Sequence, residues 1–207
     1  MKPWLFDILA CPMDKHYPLK LYIFLYETKP EEFKSFFDIY NQRKTDVIKD
    51  EKIIEIHEED GNILIKDNVI IEESPVRKYL DLLISSVNEL NNITDKSPLD
   101  ISKKCFKIAI SDIKNKILEF SKNININQID EILPEIYFIN KLKIDTEIES
   151  GLLFCEKCNR WFPIIETIPQ MLPDEYRDKE KETQFLQTNK NLLDDEFLKQ
   201  DLKPFNI

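Results

Sequence analysis

Three of the four cysteines stand in two short runs near opposite ends of the sequence, Cys11-Pro12-Met13-Asp14-Lys15-His16 and Cys155-Glu156-Lys157-Cys158. Two thiolates separated by two residues wrap one tetrahedral ion from a tight knuckle, and a Zn–S bond of about 2.3 Å suits that reach. A redox dithiol has the same spacing, but it belongs at a strand-to-helix junction. Here Leu152–Phe154 precedes the pair and Trp161–Ile165 follows it, both strand-like, which favours a metal knuckle. The knuckle needs two more ligands. Cys11 and His16 supply them, giving a Cys11, His16, Cys155, Cys158 set. Asp14 stands where the second cysteine of a C-x2-C pair would be and is a rival. Carboxylates are uncommon in structural zinc sites and imidazole is ordinary, so His16 is preferred.

The remaining candidates read as structural. Cys105 shares a helical stripe with Ile101, Ile108 and Ala109, the setting of a small buried apolar group. His57 lies in an acidic stretch and is expected at the solvated surface. A ligand set drawn from both ends makes the intervening chain a loop closed by metal. Such closure restricts the unfolded chain and converts metal affinity into folding stability. With all four positions filled by protein, no coordination site is left for a reacting water, so the ion reads as structural.

Composition narrows the function. The 207 residues include only two glycines, Gly61 and Gly151, which excludes the glycine-rich loops that cradle nucleotide phosphates. A net charge of -10 argues against direct binding of duplex nucleic acid, which needs clustered Lys and Arg. The acidity is local: residues 46–73 hold ten acids and three bases, and residues 174–207 nine acids and six bases. Both read as solvated outer surfaces. No stretch approaches the roughly 18 apolar residues of a membrane span. Met1-Lys2-Pro3-Trp4 lacks the apolar core and cleavage site of a secretory signal, so the expected compartment is the cytoplasm, where thiols stay reduced.

The periodicity predicts an α+β chain. Leu19–Tyr26 reads as a strand, and Lys29-Pro30-Glu31-Glu32 starts a helix with Phe33, Phe36, Phe37 and Tyr40 on its buried stripe. Alternation on either side of Asp60-Gly61 predicts a hairpin. Helices follow over Val76–Leu90 and Leu99–Phe120, with a shorter one over Ile129–Asn140 that Pro134 bends or shortens. Leu142–Ile148 alternates like a strand. The expected organisation is a small β domain from residues 1–28 and 142–175, an inserted and mainly helical domain over 29–141 with an acidic hairpin, and a charged, helical tail over 176–207 whose apolar residues make weak contacts.

The opening Met1-Lys2-Pro3-Trp4-Leu5-Phe6-Asp7-Ile8-Leu9-Ala10-Cys11-Pro12 and the later Gly151-Leu152-Leu153-Phe154-Cys155-Glu156-Lys157-Cys158 resemble the split halves of one zinc-ribbon family. Trp161-Phe162-Pro163-Ile164-Ile165-Glu166-Thr167-Ile168-Pro169-Gln170-Met171-Leu172-Pro173 completes the second half. The family is the small archaeal and eukaryotic subunit that activates several S-adenosylmethionine-dependent methyltransferases. The resemblance implies a zinc-ribbon-like domain built from both ends around a helical insertion, holding a structural Zn2+. It further implies a non-catalytic chain that forms a heterodimer with the catalytic subunit, keeping it soluble and active. S-adenosylmethionine would be bound by the partner and not by this chain. Those partners modify tRNA, rRNA or a translation termination factor, so RNA would be met indirectly and no membrane is involved. Docking would resemble the addition of a strand to a sheet edge. Two positions depart from the family pattern: His16 stands where a cysteine is usual, and Thr167 where a glycine is usual.

The run Trp161, Phe162, Ile164, Ile165, Ile168, Met171, Leu172 holds more apolar residues than one strand can bury on a single face. The excess is either core or an exposed patch awaiting a partner. The resemblance makes these the candidate partner-binding residues, with Ile165, Ile168, Met171 and Leu172 foremost. Two other functions compete. A stand-alone nucleic-acid-binding ribbon would use Lys157, Arg160 and Trp161, since aromatics stack on bases. A thiol oxidoreductase would need an exposed, reactive Cys155 or Cys158.

Overall fold

The computed structural model describes residues 1–206. Among them the strands are β1 (Lys20–Tyr26), β2 (Glu55–Glu59), β3 (Asn62–Lys66), β4 (Ser74–Pro75), β5 (Ile93–Asp95), β6 (Ile148–Cys155), β7 (Arg160–Ile165) and β8 (Ile168–Pro169). The chain divides into two compact units. Residues 1–27, 92–98 and 147–206 form the first, and Thr28–Asn91 with Leu99–Thr146 form the second.

The first unit is built on a five-stranded sheet in the order β5-β1-β6-β7-β8. Aromatic and branched residues in Lys20–Tyr26 suit a half-buried pleated surface, and Leu21 and Ile23 are fully buried. β1 runs antiparallel to β6 with Leu21 opposite Leu153 and Tyr22 opposite Leu152. The two ends of the sequence therefore share one sheet, and Ile148 N donates to Met1 O at 2.8 Å. The strands approach closely at Gly151, where a Cβ would stand 2.6 Å from Tyr22 O. Only glycine fits that register. β5 adds to β1 in parallel, pairing Leu21 with Ile93. Three residues carry no readable alternation, which is why periodicity missed this strand.

β7 and β8 are joined by Glu166 and Thr167 alone, with Ile165 opposite Ile168. Both linking residues are left-handed, at φ 48° and 66°. This turn matches the twist of its strands, but a β-branched residue is poorly tolerated there. Thr167→Gly is therefore expected to stabilise the protein by about 1 kcal/mol. Equilibrium denaturation should show a higher midpoint at unchanged slope; an unchanged or lower midpoint would contradict the turn geometry.

The charged C-terminal stretch does more than the sequence reading allowed. Lys179–Asn189 and Asp195–Leu198 are helical, and Leu186, Leu193, Phe197 and Leu202 are buried against Phe24, Leu152, Phe154 and Trp161 of the sheet. Each such side chain contributes roughly 1.5–3 kcal/mol on burial. Their apolar positions are thinly spaced among charges, so no strong stripe announces them.

The second unit is mainly helical. Pro30 opens the helix Pro30–Asn41, whose Phe33, Phe36, Phe37 and Tyr40 are buried. Phe138 is the hub of this core, with ring centroids 5.2 Å from Phe36 and 5.1 Å from Tyr40. Pro134 stands in the first turn of Leu133–Asn140 and starts that helix rather than bending it, because proline lacks only an N–H that the first turn leaves unpaired. The expected strand over Leu142–Ile148 is replaced in its first half: Lys141–Asp145 continues the helix as a π turn, and β6 begins at Ile148. Leu99–Phe120 likewise contains a π turn over Ala109–Ile113 between two α segments. The acidic hairpin β2–β3 turns at Asp60-Gly61, both at positive φ, and His57 is partly exposed and pairs with Glu73 at 2.6 Å. No helix among the described residues is long and apolar enough to cross a membrane.

Candidate metal centre and docking surface

Two turns of the first unit bring the sulfur atoms together. In the N-terminal turn, Lys15 N donates to Cys11 O at 2.9 Å and Cys11 N donates to His16 O at 3.0 Å. Lys15 adopts a left-handed φ of 59°, which tightens the loop. Asp14 Oδ1 accepts from His16 N at 3.0 Å. The second turn is the hairpin between β6 and β7: Cys155 pairs with Arg160 in the ladder, and Asn159 at φ 57° closes the bend.

The groups that converge are Cys11, Asp14, Cys155 and Cys158, with one donor atom from each lying within 4.8 Å of all the others. Cys11 Sγ lies 3.7 Å from Cys158 Sγ, and Cys155 Sγ lies 3.6 Å from Asp14 Oδ1. His16, preferred from the sequence, gives its backbone to the turn, and its ring nitrogens are not in the converging set. Asp14 occupies the fourth corner instead. The reason is local: the Asp14 carboxylate folds back to cap the turn and so points toward the cysteines.

The set suits a soft tetrahedral cation. Sulfurs bonded at about 2.3 Å to one tetrahedral ion lie about 3.8 Å apart, close to the Cys11–Cys158 separation and far beyond a disulfide. Burial pushes the Cys11 thiol up and the Cys155 thiol up to about 12, so these sulfurs ionise only against a compensating positive charge. Partial burial opposes ionisation of Asp14, but hydrogen bonds from the His16 N–H and the Cys11 thiol, with the charge of Lys157, outweigh it and hold the carboxyl below its ordinary value. Three sulfurs and a carboxylate form an acceptable zinc donor set. Cys105 is fully buried elsewhere, with its thiol also pushed up to about 12 by burial.

The apolar run splits in two. Trp161, Phe162 and Ile164 are fully buried, so they belong to the core of this unit. Ile165 and Met171 are half-buried, whereas Ile168 is 59% and Leu172 41% exposed. The face that remains open lies at and beyond the outermost strand β8. Each competing reading loses residues it would need. Trp161 donates from its indole to Phe205 O at 3.0 Å and has no free face for a base; Arg160 is held by Asp174 at 2.8 Å. Cys155 is buried with a raised pKa, the opposite of a reactive thiol.

Sequence reasoning missed Asp174 and the Arg177–Glu182 pair. Arg177 is buried, ion-paired with Glu182 and centred 5.2 Å from the Trp161 ring. In a run of alternating charges neither residue carried a distinguishing signal.

The family model described as Trm112p-like protein matches residues 2–166. No curated protein and no solved structure shows a significant match.

Proposed function

We propose, on the premise that this chain belongs to the Trm112p-like family of methyltransferase-activating subunits, that it is the non-catalytic zinc-binding subunit of cytoplasmic S-adenosylmethionine-dependent methyltransferases acting on tRNA, rRNA or a translation termination factor. The observation that carries this reading is the meeting of Cys11 and Asp14 with Cys155 and Cys158, in a unit whose sheet leaves Ile168 open on its outer strand and Leu172 open just beyond it. These four side chains would hold the zinc, with Asp14 as the fourth ligand. When bound, the ion supplies a cross-link between the two turns and no catalytic chemistry, because protein donors fill its coordination sphere. The protein's own role is then to present a rigid edge. Ile168, with Ile165, Met171 and Leu172, covers an apolar surface of the catalytic subunit, and the partner carries the S-adenosylmethionine site.

Co-expression with candidate methyltransferase catalytic subunits tests this. The wild-type chain should co-purify with at least one of them and raise its soluble yield and activity. Ile168→Asp places a charge at the centre of the surface and should weaken that complex by at least about 2 kcal/mol, roughly thirtyfold in Kd, while the free chain stays folded. Absence of any co-purifying or activated methyltransferase would end the proposal. The ligand assignment has its own measurement: Asp14→Ala should lose zinc under competition with a chelator, and His16→Ala should retain it. The reverse ranking would return the fourth position to His16.

A further inference from the structure

The C-terminal residues that lie beyond the family-matched region grip the second metal knuckle from two sides. At the start of this segment, the Asp174 carboxylate receives Arg160 Nε at 3.1 and 3.2 Å and Nη2 at 2.8 Å. At its end, Lys203 N donates to Asn159 O at 2.9 Å, Trp161 N donates to Lys203 O at 3.2 Å, and the Trp161 indole donates to Phe205 O. Asn159, Arg160 and Trp161 directly follow Cys158. Between these two grips the segment lays Leu186, Leu193, Phe197 and Leu202 over the sheet, with the Phe197 ring 4.9 Å from Phe154 and 5.3 Å from Tyr22. Lys96 fastens the middle through Asp194 at 2.8 Å.

We infer that residues 174–206 form a clamp on the knuckle, such that metal held by Cys158 and docking of this segment over the aromatic sheet face stabilise each other. The inference rests on the zinc reading above. An ion that draws Cys158 beside Cys11 fixes the backbone of the next three residues, and those residues supply the groups that Asp174, Lys203 and Phe205 bind. Without that restraint the Asn159 carbonyl that accepts from Lys203 and the Arg160 guanidinium that donates to Asp174 lose their fixed positions, and the segment loses both ends. The Arg160 guanidinium, two positions after Cys158, is the cation that joins the clamp to the knuckle through Asp174. Coupling of this kind is reciprocal: whatever factor docking adds to metal affinity, metal adds to docking. Direct partners of metal ligands are typically worth 10–100-fold in affinity, and Asp174, which acts one step removed through Arg160, belongs at the low end of that range.

The test uses the full chain with zinc alone as the probe. In competition with a chromophoric chelator, Asp174→Asn should weaken zinc binding by about tenfold, whereas Asp46→Asn in the other unit should leave it unchanged. Hydrogen exchange of the wild-type chain after chelation supplies the second readout. The amides of Leu186 and Leu198, the latter bonded to Asp194 O, should lose protection while those of Leu21 and Leu153 in the central strands keep theirs. Unaltered zinc affinity in Asp174→Asn would overturn the clamp and leave the zinc site standing. Simultaneous loss of protection in all four amides would also overturn it, since the whole unit would then depend on the ion without a coupled segment. A chain that binds no zinc at all would overturn the clamp together with its premise.

Discussion

Cys155→Ser is expected to lower bound zinc from about one ion per chain to background and to destabilise the first unit by about 4 kcal/mol at a free zinc concentration a thousandfold above Kd. The size follows from position. Cys11 and Cys158 are 147 positions apart in the chain, and a cross-link across a loop of that length restricts the unfolded state by about 5 kcal/mol in the chain-entropy account. Serine keeps the volume but offers zinc a poor, protonated oxygen, so the two turns lose their shared ion and β6 and β7 lose the restraint at the turn that joins them. Elemental analysis and thermal unfolding with and without added zinc provide the measurement. Cys105→Ser, at a buried site in the helical unit, should leave the metal content unaltered. A Cys155→Ser protein with full zinc and an unmoved transition would remove Cys155 from the ligand set.

Trp161→Ala is the second large expected effect, at about 3–5 kcal/mol of lost stability. Trp161 is fully buried; its indole N–H is bonded to Phe205 O and its ring lies beneath the Arg177 guanidinium. Truncation leaves a cavity, an unpaired carbonyl and a buried cation with one of its three aromatic neighbours removed, and the surrounding sheet cannot collapse to fill the space. Ile168→Ala, only seven positions further on and 59% exposed, should change stability by no more than about 0.5 kcal/mol. Denaturant titration of the two variants decides between core and surface. If Ile168→Ala proved the costlier, the division of the apolar run described above would be wrong.

The same run shows where sequence reasoning stops. Its hydrophobicity was legible, and so was the choice between core and docking patch, but not the answer. Burial of Trp161 depends on Phe205 and Arg177, which reach it from distant positions. The two π turns were likewise out of reach, because Leu142 and Ile113 are apolar residues that satisfy a strand or helix period equally well over so few positions. Thr167 was legible as a misfit: a residue that dislikes positive φ sits at 66°, where the resemblance implied glycine.

Local chemistry determined a good deal unaided. Proline followed by acids marks the helix at Pro30, an apolar run rich in Tyr, Phe and Ile marks β1, alternation marks the Asp60-Gly61 hairpin, and the C-x2-C spacing marks the knuckle, since each needs only neighbours along the chain. Tertiary structure alone decided that Asp14 rather than His16 joins the three sulfurs, that β5 extends the sheet, and that the charged C-terminal stretch is core. Those outcomes turn on side-chain direction and on contacts between remote segments, where a single turn's dihedral or one shared face outweighs any pattern written in consecutive residues.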